Sequence, residues 1–201
     1  MGVRAEKKSQ SRRRLVEAAY RLFSEQGYDQ TSVEEIAAAA AVSRATLFNY
    51  FPSKSALIFT DGEQIAAAGV ARIEARGADE DPVDALADAF MAMIDSTVGT
   101  SRDPDTELEV VRIRLVLTTS QLRAEFLDRS LASLKTIADA MKVACPELDV
   151  MTVDAMVGAV FGAALAAGSR QAQSGALSRE VLTRSVSLVA EALRTTHGFR
   201  Q

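Results

Sequence analysis

Apolar residues recur at Leu15, Ala18, Ala19, Leu22 and Phe23, the i, i+3, i+4, i+7, i+8 stripe of an amphipathic helix. That pattern predicts a helix over 11–26, stopped by Gly27 at the C′ position. Residues 1–9 carry no apolar stripe and are expected to form a disordered basic arm. A second stripe, Val33, Ile36, Ala37 and Ala40, predicts a short helix. Ser32 caps it, and Glu35 three residues on completes a capping box. Ala41 and Val42 form the turn, and Ser43 is the N-cap of a third helix over 44–50. Leu47 and Phe48 are expected inward, with Arg44, Thr46, Asn49 and Tyr50 outward. Pro52 ends the helix, since proline cannot continue the hydrogen-bond ladder.

Ser53 caps a fourth helix, expected to run over 54–76 and to carry Leu57, Ile58, Ile65, Val70 and Ile73. The acidic stretch GADEDP over 77–82 reads as a linker. Further helices are expected over 83–98, 105–118, 120–144, 152–173 and 178–195, with Ser120 and Ser178 as caps and a break over 99–104. The 152–173 helix sets Gly158, Gly162, Ala166 and Ser169 on neighbouring turns, where small residues permit close helix approach. The fold class is all-α: an N-terminal three-helix domain over 1–53 with a helix-turn-helix, and a C-terminal helical domain over 54–201.

Composition narrows the function. The chain has 201 residues, 48% hydrophobic and 25% charged, as a globular protein does. No uninterrupted apolar run reaches the roughly 20 residues of a membrane span, so none is expected. The charged start shows no signal region, so a cytoplasmic location is expected. Cys145 is the single cysteine and His197 the single histidine. Neither has partners for a metal site or a nucleophilic set, and no HExxH, GxSxG or P-loop pattern occurs. No enzyme activity, cofactor or metal is therefore expected. The net charge of −4 is unevenly spread: residues 1–54 hold nine basic and six acidic residues, leaving the rest acidic. A basic end joined to an acidic body suits a nucleic-acid contact made by one face.

A short helix with Arg44 and Asn49 outward suits a DNA major groove, because both side chains can bond base edges bidentately. Thr46, Tyr50, Thr31 and Lys54 are the expected phosphate contacts, Ser32 and Ser43 are further DNA-contact candidates, and Arg12 and Arg13 add backbone attraction. The competing reading is an ordinary αα-corner in a helical protein that reads no DNA and instead binds a ligand or another protein.

The run AVSRATLFNYFPSKSAL resembles the reading helix and following segment of the TetR family of bacterial transcriptional repressors. Thr31-Ser32-Val33, Ile36-Ala37, Leu22-Phe23 and Gly27-Tyr28 match in order, so the resemblance covers roughly residues 10–60. Two positions depart from it: Ala41 stands where the family usually has glycine, and Phe48 where it often has tyrosine. Ala41 is then expected to be strained if its φ is positive. The resemblance implies a homodimer on a near-palindromic double-stranded operator, released by a small-molecule effector, with no membrane partner. It implies an effector pocket among the central helices, for which Phe90, Met91, Ile94, Arg112, Leu115, Phe126, Met141 and Phe161 are the candidates; an apolar, acyl-type ligand suits them. It also implies a four-helix dimer interface from the last two helices. Val157, Phe161, Leu165, Leu182, Val186, Val189 and Leu193 are its candidates, unless those faces are buried within one protomer.

Overall fold

The computed structural model describes residues 3–60, 62–99, 107–174 and 178–197. Among them every regular element is helical: α1 (Val3–Gln26), α2 (Val33–Ala39), α3 (Arg44–Tyr50), one 3-10 turn (Ser55–Leu57), α4 (Gly62–Glu74), α5 (Pro82–Gly99), α6 (Glu107–Thr118), α7 (Ser120–Ala144), α8 (Val150–Ser174) and α9 (Arg179–His197). The all-α class therefore holds. Most of the expected break over 99–104, and the expected helix start at 105, lie outside the described residues.

Three boundaries differ from the sequence reading. The basic arm is not separate from α1, which begins at Val3. Its run AEKKSQSRRR lacks proline and glycine and is made mostly of good helix formers, so nothing stops the helix from extending. The helix expected over 54–76 is divided between the 3-10 turn and α4. Leu57 and Ile58 are buried in one core while Ile73 is buried in another, and a single straight helix does not serve both. Thr119, not Ser120, is the extended N-cap residue of α7.

The first core joins Leu15, Phe23, Tyr28, Ile36 and Leu47 to Leu57 and Ile58. Val116 of α6 and Leu122 of α7 are buried in it too, so the central helices are wedged into the N-terminal unit. The Arg129 guanidinium lies 4.9 Å from the Phe59 ring centre across the same seam. The second core gathers Ile73, Leu86, Phe90, Ile137, Met141, Val153 and Val157 from α4, α5, α7 and α8. Gly69 lets α4 pack closely there: a Cβ would come within 2.8 Å of Ile137 and 2.9 Å of Met93, so any larger residue would have to push those side chains aside.

By length and composition α8 could cross a membrane, with a mean hydropathy of 1.8, a property the sequence reading missed. Its valines, methionines and alanines raise the hydropathy, while Thr152 and Asp154 interrupt the apolar run near its start. Its Val153, Met156, Val157 and Val160 are buried in the second core. Even so, only 22% of the apolar window is buried within the protomer.

The turn after α2 is a Schellman motif. Val42 N–H donates to the Ala37 carbonyl at 2.9 Å and Ala41 N–H to the Ala38 carbonyl at 3.0 Å. Ala41 at C′ has φ 54°, the left-handed conformation that a Cβ disfavours. Ala41→Gly is therefore expected to stabilise the fold by up to about 1 kcal/mol, glycine's greater unfolded-state freedom offsetting part of the relief. A chemical-denaturation midpoint that falls in this variant would count against strain at Ala41.

Candidate nucleic-acid interface

The α2–turn–α3 unit is rigid for local reasons. Ser32 Oγ accepts the Glu35 N–H at 3.2 Å, and the Glu35 carboxylate accepts the Ser32 N–H at 2.8 Å. These bonds to Ser32 hold the Glu35 carboxyl below its ordinary range. Ser43 Oγ accepts the Thr46 N–H at 3.0 Å and so caps α3. Leu47, with no exposed surface, pins α3 to the first core. What remains outward on α3 is Arg44, Ala45, Phe48 and Asn49, with Thr46 and Tyr50 half-buried.

Arg44 is held from two sides. Its guanidinium lies 3.0 Å from the Glu34 carboxylate of α2 and 5.4 Å from the Phe48 ring centre. Both members of the ion pair are well exposed, so it is worth no more than about 1 kcal/mol and yields readily to a better acceptor. Glu34 carried no sequence signal as Arg44's partner, because the ten-residue separation spans the turn between two helices.

Several expected contacts lie elsewhere. Phe48 was expected inward and is instead 38% exposed. Leu47 already fills the inward position, and the next residue along a helix turns some 100° away from it. Thr31 is only 1% exposed and donates its hydroxyl to the Gly27 carbonyl at 2.8 Å, which withdraws it from any phosphate. Lys54 Nζ donates to the Tyr28 carbonyl at 2.8 Å and the Thr31 carbonyl at 3.0 Å, and it sits 4.2 Å from the Tyr28 ring centre. Lys54 is thus a clamp between the α1–α2 loop and the 3-10 turn, not a cation held ready for DNA. Tyr50 packs part of its ring on the first core. Arg12 donates to the Thr60 carbonyl at 3.3 Å and lies 5.2 Å from the Phe51 ring centre, while Arg13 pairs with Glu17 at 2.7 Å. Both arginines remain exposed along α1. Tyr28 is buried, and burial, with Glu125 and Asp29 nearby, pushes its hydroxyl pKa up to about 12.

Among the pocket candidates, Phe90 and Met141 are buried in the second core. Leu115 and Phe126 pack against the first core and Phe161 against the second. The Phe126 and Phe161 rings meet at 6.4 Å, so this pair links the two cores. Met91, Ile94 and Arg112 are half-buried.

The dimer candidates need a correction. Val157 and Val186 are buried inside the protomer's second core and present no surface to a second copy. Phe161, Val189 and Leu193 pack on that core, and Leu165 and Leu182 pack around Leu117 and Ala172. The more strongly apolar face of α8 and α9 therefore turns inward. The outward face of α8 carries Met151, Asp154, Ala155, Gly158, Gly162, Ala166 and Arg170, with Met151 80% exposed. On α9, Leu188 is 58% exposed.

Comparison with known proteins places this geometry. Residues 15–59 match a family model described as bacterial regulatory proteins, tetR family, and residues 80–194 match one described as the MftR C-terminal domain. The chain is 38% identical over 134 residues to the HTH-type transcriptional regulator TcmR of Streptomyces glaucescens, over 64% of this chain and 58% of that relative. The chain thus spans little more than half the length of that relative. Its fold is similar to FadR of Bacillus subtilis in complex with stearoyl-CoA, with TM-score 0.57, 19% identity and coverage of 90% of this chain and 96% of that one. FadR of Thermus thermophilus in complex with lauroyl-CoA gives TM-score 0.51, 24% identity and coverage of 90% and 92%.

Proposed function

The chain belongs to the tetR family of bacterial regulatory proteins, and we propose that it is a ligand-responsive transcriptional repressor acting as a homodimer on a near-palindromic operator. The observation that carries this reading is α3 itself. It is capped at Ser43, anchored by Leu47, and presents Arg44 and Asn49 to solvent. Arg44 and Asn49 read base edges, while Ser43, Thr46, Arg12 and Arg13 lie on the phosphate side. Two reading helices related by a two-fold axis enter major grooves about 34–36 Å apart, or a multiple of that. Residues 1–53 dock on DNA, and 54–201 bind the effector and dimerise. An ordinary αα-corner has no need of the exposed Arg44 and Asn49, so that alternative is not favoured.

The dimer forms on the outward stripe of α8, where Ala155, Gly158, Gly162 and Ala166 let a second α8 approach closely. The effector carries an apolar acyl chain, as do the acyl-CoA esters in the two FadR structures. It enters near Leu115, Phe126 and Phe161, between the two cores. Val116 and Leu122 lie in the first core, so a ligand that spreads α6 from α7 tilts the whole DNA-reading unit. It does so only by binding the tilted geometry more tightly than the DNA-bound one.

The test starts from operator DNA selected out of a random pool. Binding is then followed by fluorescence anisotropy against salt and against lauroyl-CoA. A selected palindrome whose affinity falls linearly on a log–log salt plot, and falls again with lauroyl-CoA, is the expected result. Failure to select any sequence would overturn the repressor reading.

A further inference from the structure

Phe48 is the one apolar side chain larger than alanine among the outward residues of α3, standing between Arg44 and Asn49. We propose that it reads sequence: its exposed ring packs on the C5 methyl group of a thymine in each operator half-site. This rests on the assignment of α3 as the DNA-reading helix and adds to it a residue and the base it selects.

The argument is one of chemistry. A phenylalanine ring has no hydroxyl and cannot hold a phosphate. The edges of base pairs in the major groove are donors and acceptors, with one apolar exception, the thymine methyl. A ring carried into that groove loses its water and is rewarded only where such a methyl meets it. The ring is also held ready. The Arg44 guanidinium covers one face with its carbon 5.4 Å from the ring centre, which limits the ring's freedom before DNA arrives. Leu47 next to Phe48 is locked in the first core, so the backbone that aims the ring does not shift. A ring ordered before binding loses little entropy when it meets its base.

The experiment uses the full chain and the selected operator. Each thymine is replaced in turn by deoxyuridine, which removes the methyl and leaves every hydrogen-bonding group in place. One thymine per half-site is expected to matter, by about fourfold for one half-site and about fifteenfold when both are changed, as follows from burying one methyl group. In Phe48→Ala the same replacement is expected to change nothing, and in Phe48→Tyr the sensitivity is expected to return. Circular dichroism on both variants checks that the fold is kept. A flat deoxyuridine scan with wild-type protein would overturn the proposal while leaving DNA reading by α3 intact. An undiminished deoxyuridine effect in Phe48→Ala would overturn it as well, by assigning the methyl to another side chain. Failure to select any operator would overturn this proposal together with the function on which it rests.

Discussion

Replacing Arg44 and Asn49 together by alanine is expected to leave a folded, dimeric protein that prefers operator DNA over random DNA by no more than the roughly fifteenfold that the two Phe48 contacts supply. Each good bidentate base contact discriminates by about 1–3 kcal/mol. Two such residues in each of two half-sites add up to about 4–12 kcal/mol, which matches the roughly 4–10 kcal/mol that separates specific from non-specific binding. The double variant therefore falls to within about fifteenfold of the non-specific level, whose Kd is about 10⁻⁴–10⁻⁶ M at physiological salt. The fold survives because both side chains are exposed, and the Arg44–Glu34 pair contributes no more than about 1 kcal/mol. Tyr50 is left in place because part of its ring packs on the first core, and Ser43 because it caps α3. Competition binding with random-sequence DNA reads the result. Selectivity retained well beyond that fifteenfold in the double variant would remove α3 from the role of reading helix.

Gly162→Arg turns the dimer into a monomer while leaving the protomer intact. A Cβ at Gly162 meets nothing within 4 Å, and neither does one at Gly158 on the same stripe. Within one protomer the substitution is harmless, since replacing a mid-helix glycine favours the helix by up to about 1 kcal/mol. In the proposed α8–α8 contact it would set a long charged side chain at the line of closest helix approach, where a bulky residue keeps the backbones apart and a buried, unpaired charge costs several kcal/mol. Losing the dimer also removes two-site binding, which is worth about 10²–10⁴ in operator affinity. Native mass spectrometry and sedimentation at micromolar protein report the oligomer, and anisotropy reports the DNA. A variant that stays dimeric with unchanged operator affinity would place the dimer contact on another surface.

The elements that were legible in the sequence are those whose cause is local. The Ser32–Glu35 box and the Ser43 cap each act across three residues, and both could be read from residue type and spacing. The bounds of α3 were readable for the same reason, between a serine cap and Pro52. The positive φ of Ala41 was raised only as a condition, from the glycine that the resembling family usually has there, and the structure meets that condition. The basic start was misread as an arm because its lack of an apolar stripe was given more weight than its helix-forming residues. Phe48 was misread because an aromatic at a helical spacing is ordinarily core, and only the packing of Leu47 decided which of two adjacent residues goes inside.

By itself the sequence determined an all-helical chain, the position and caps of its helix-turn-helix, and a basic end set against an acidic body. These depend on hydrogen bonds within one turn, on apolar periodicity and on summed charge, all of which are properties of neighbouring residues. Only the tertiary structure decided what each side chain meets. Lys54 bonds carbonyls 23 and 26 residues away and is thereby turned from a DNA contact into a clamp. Thr31 is folded into the first core by the same packing. On α8 and α9 the sequence marks an apolar face and a small-residue face but not which of them points inward. Burying Val157 and Val186 removes more apolar surface from water than burying glycine and alanine does, so the larger side chains take the core and the glycine–alanine stripe is left outside.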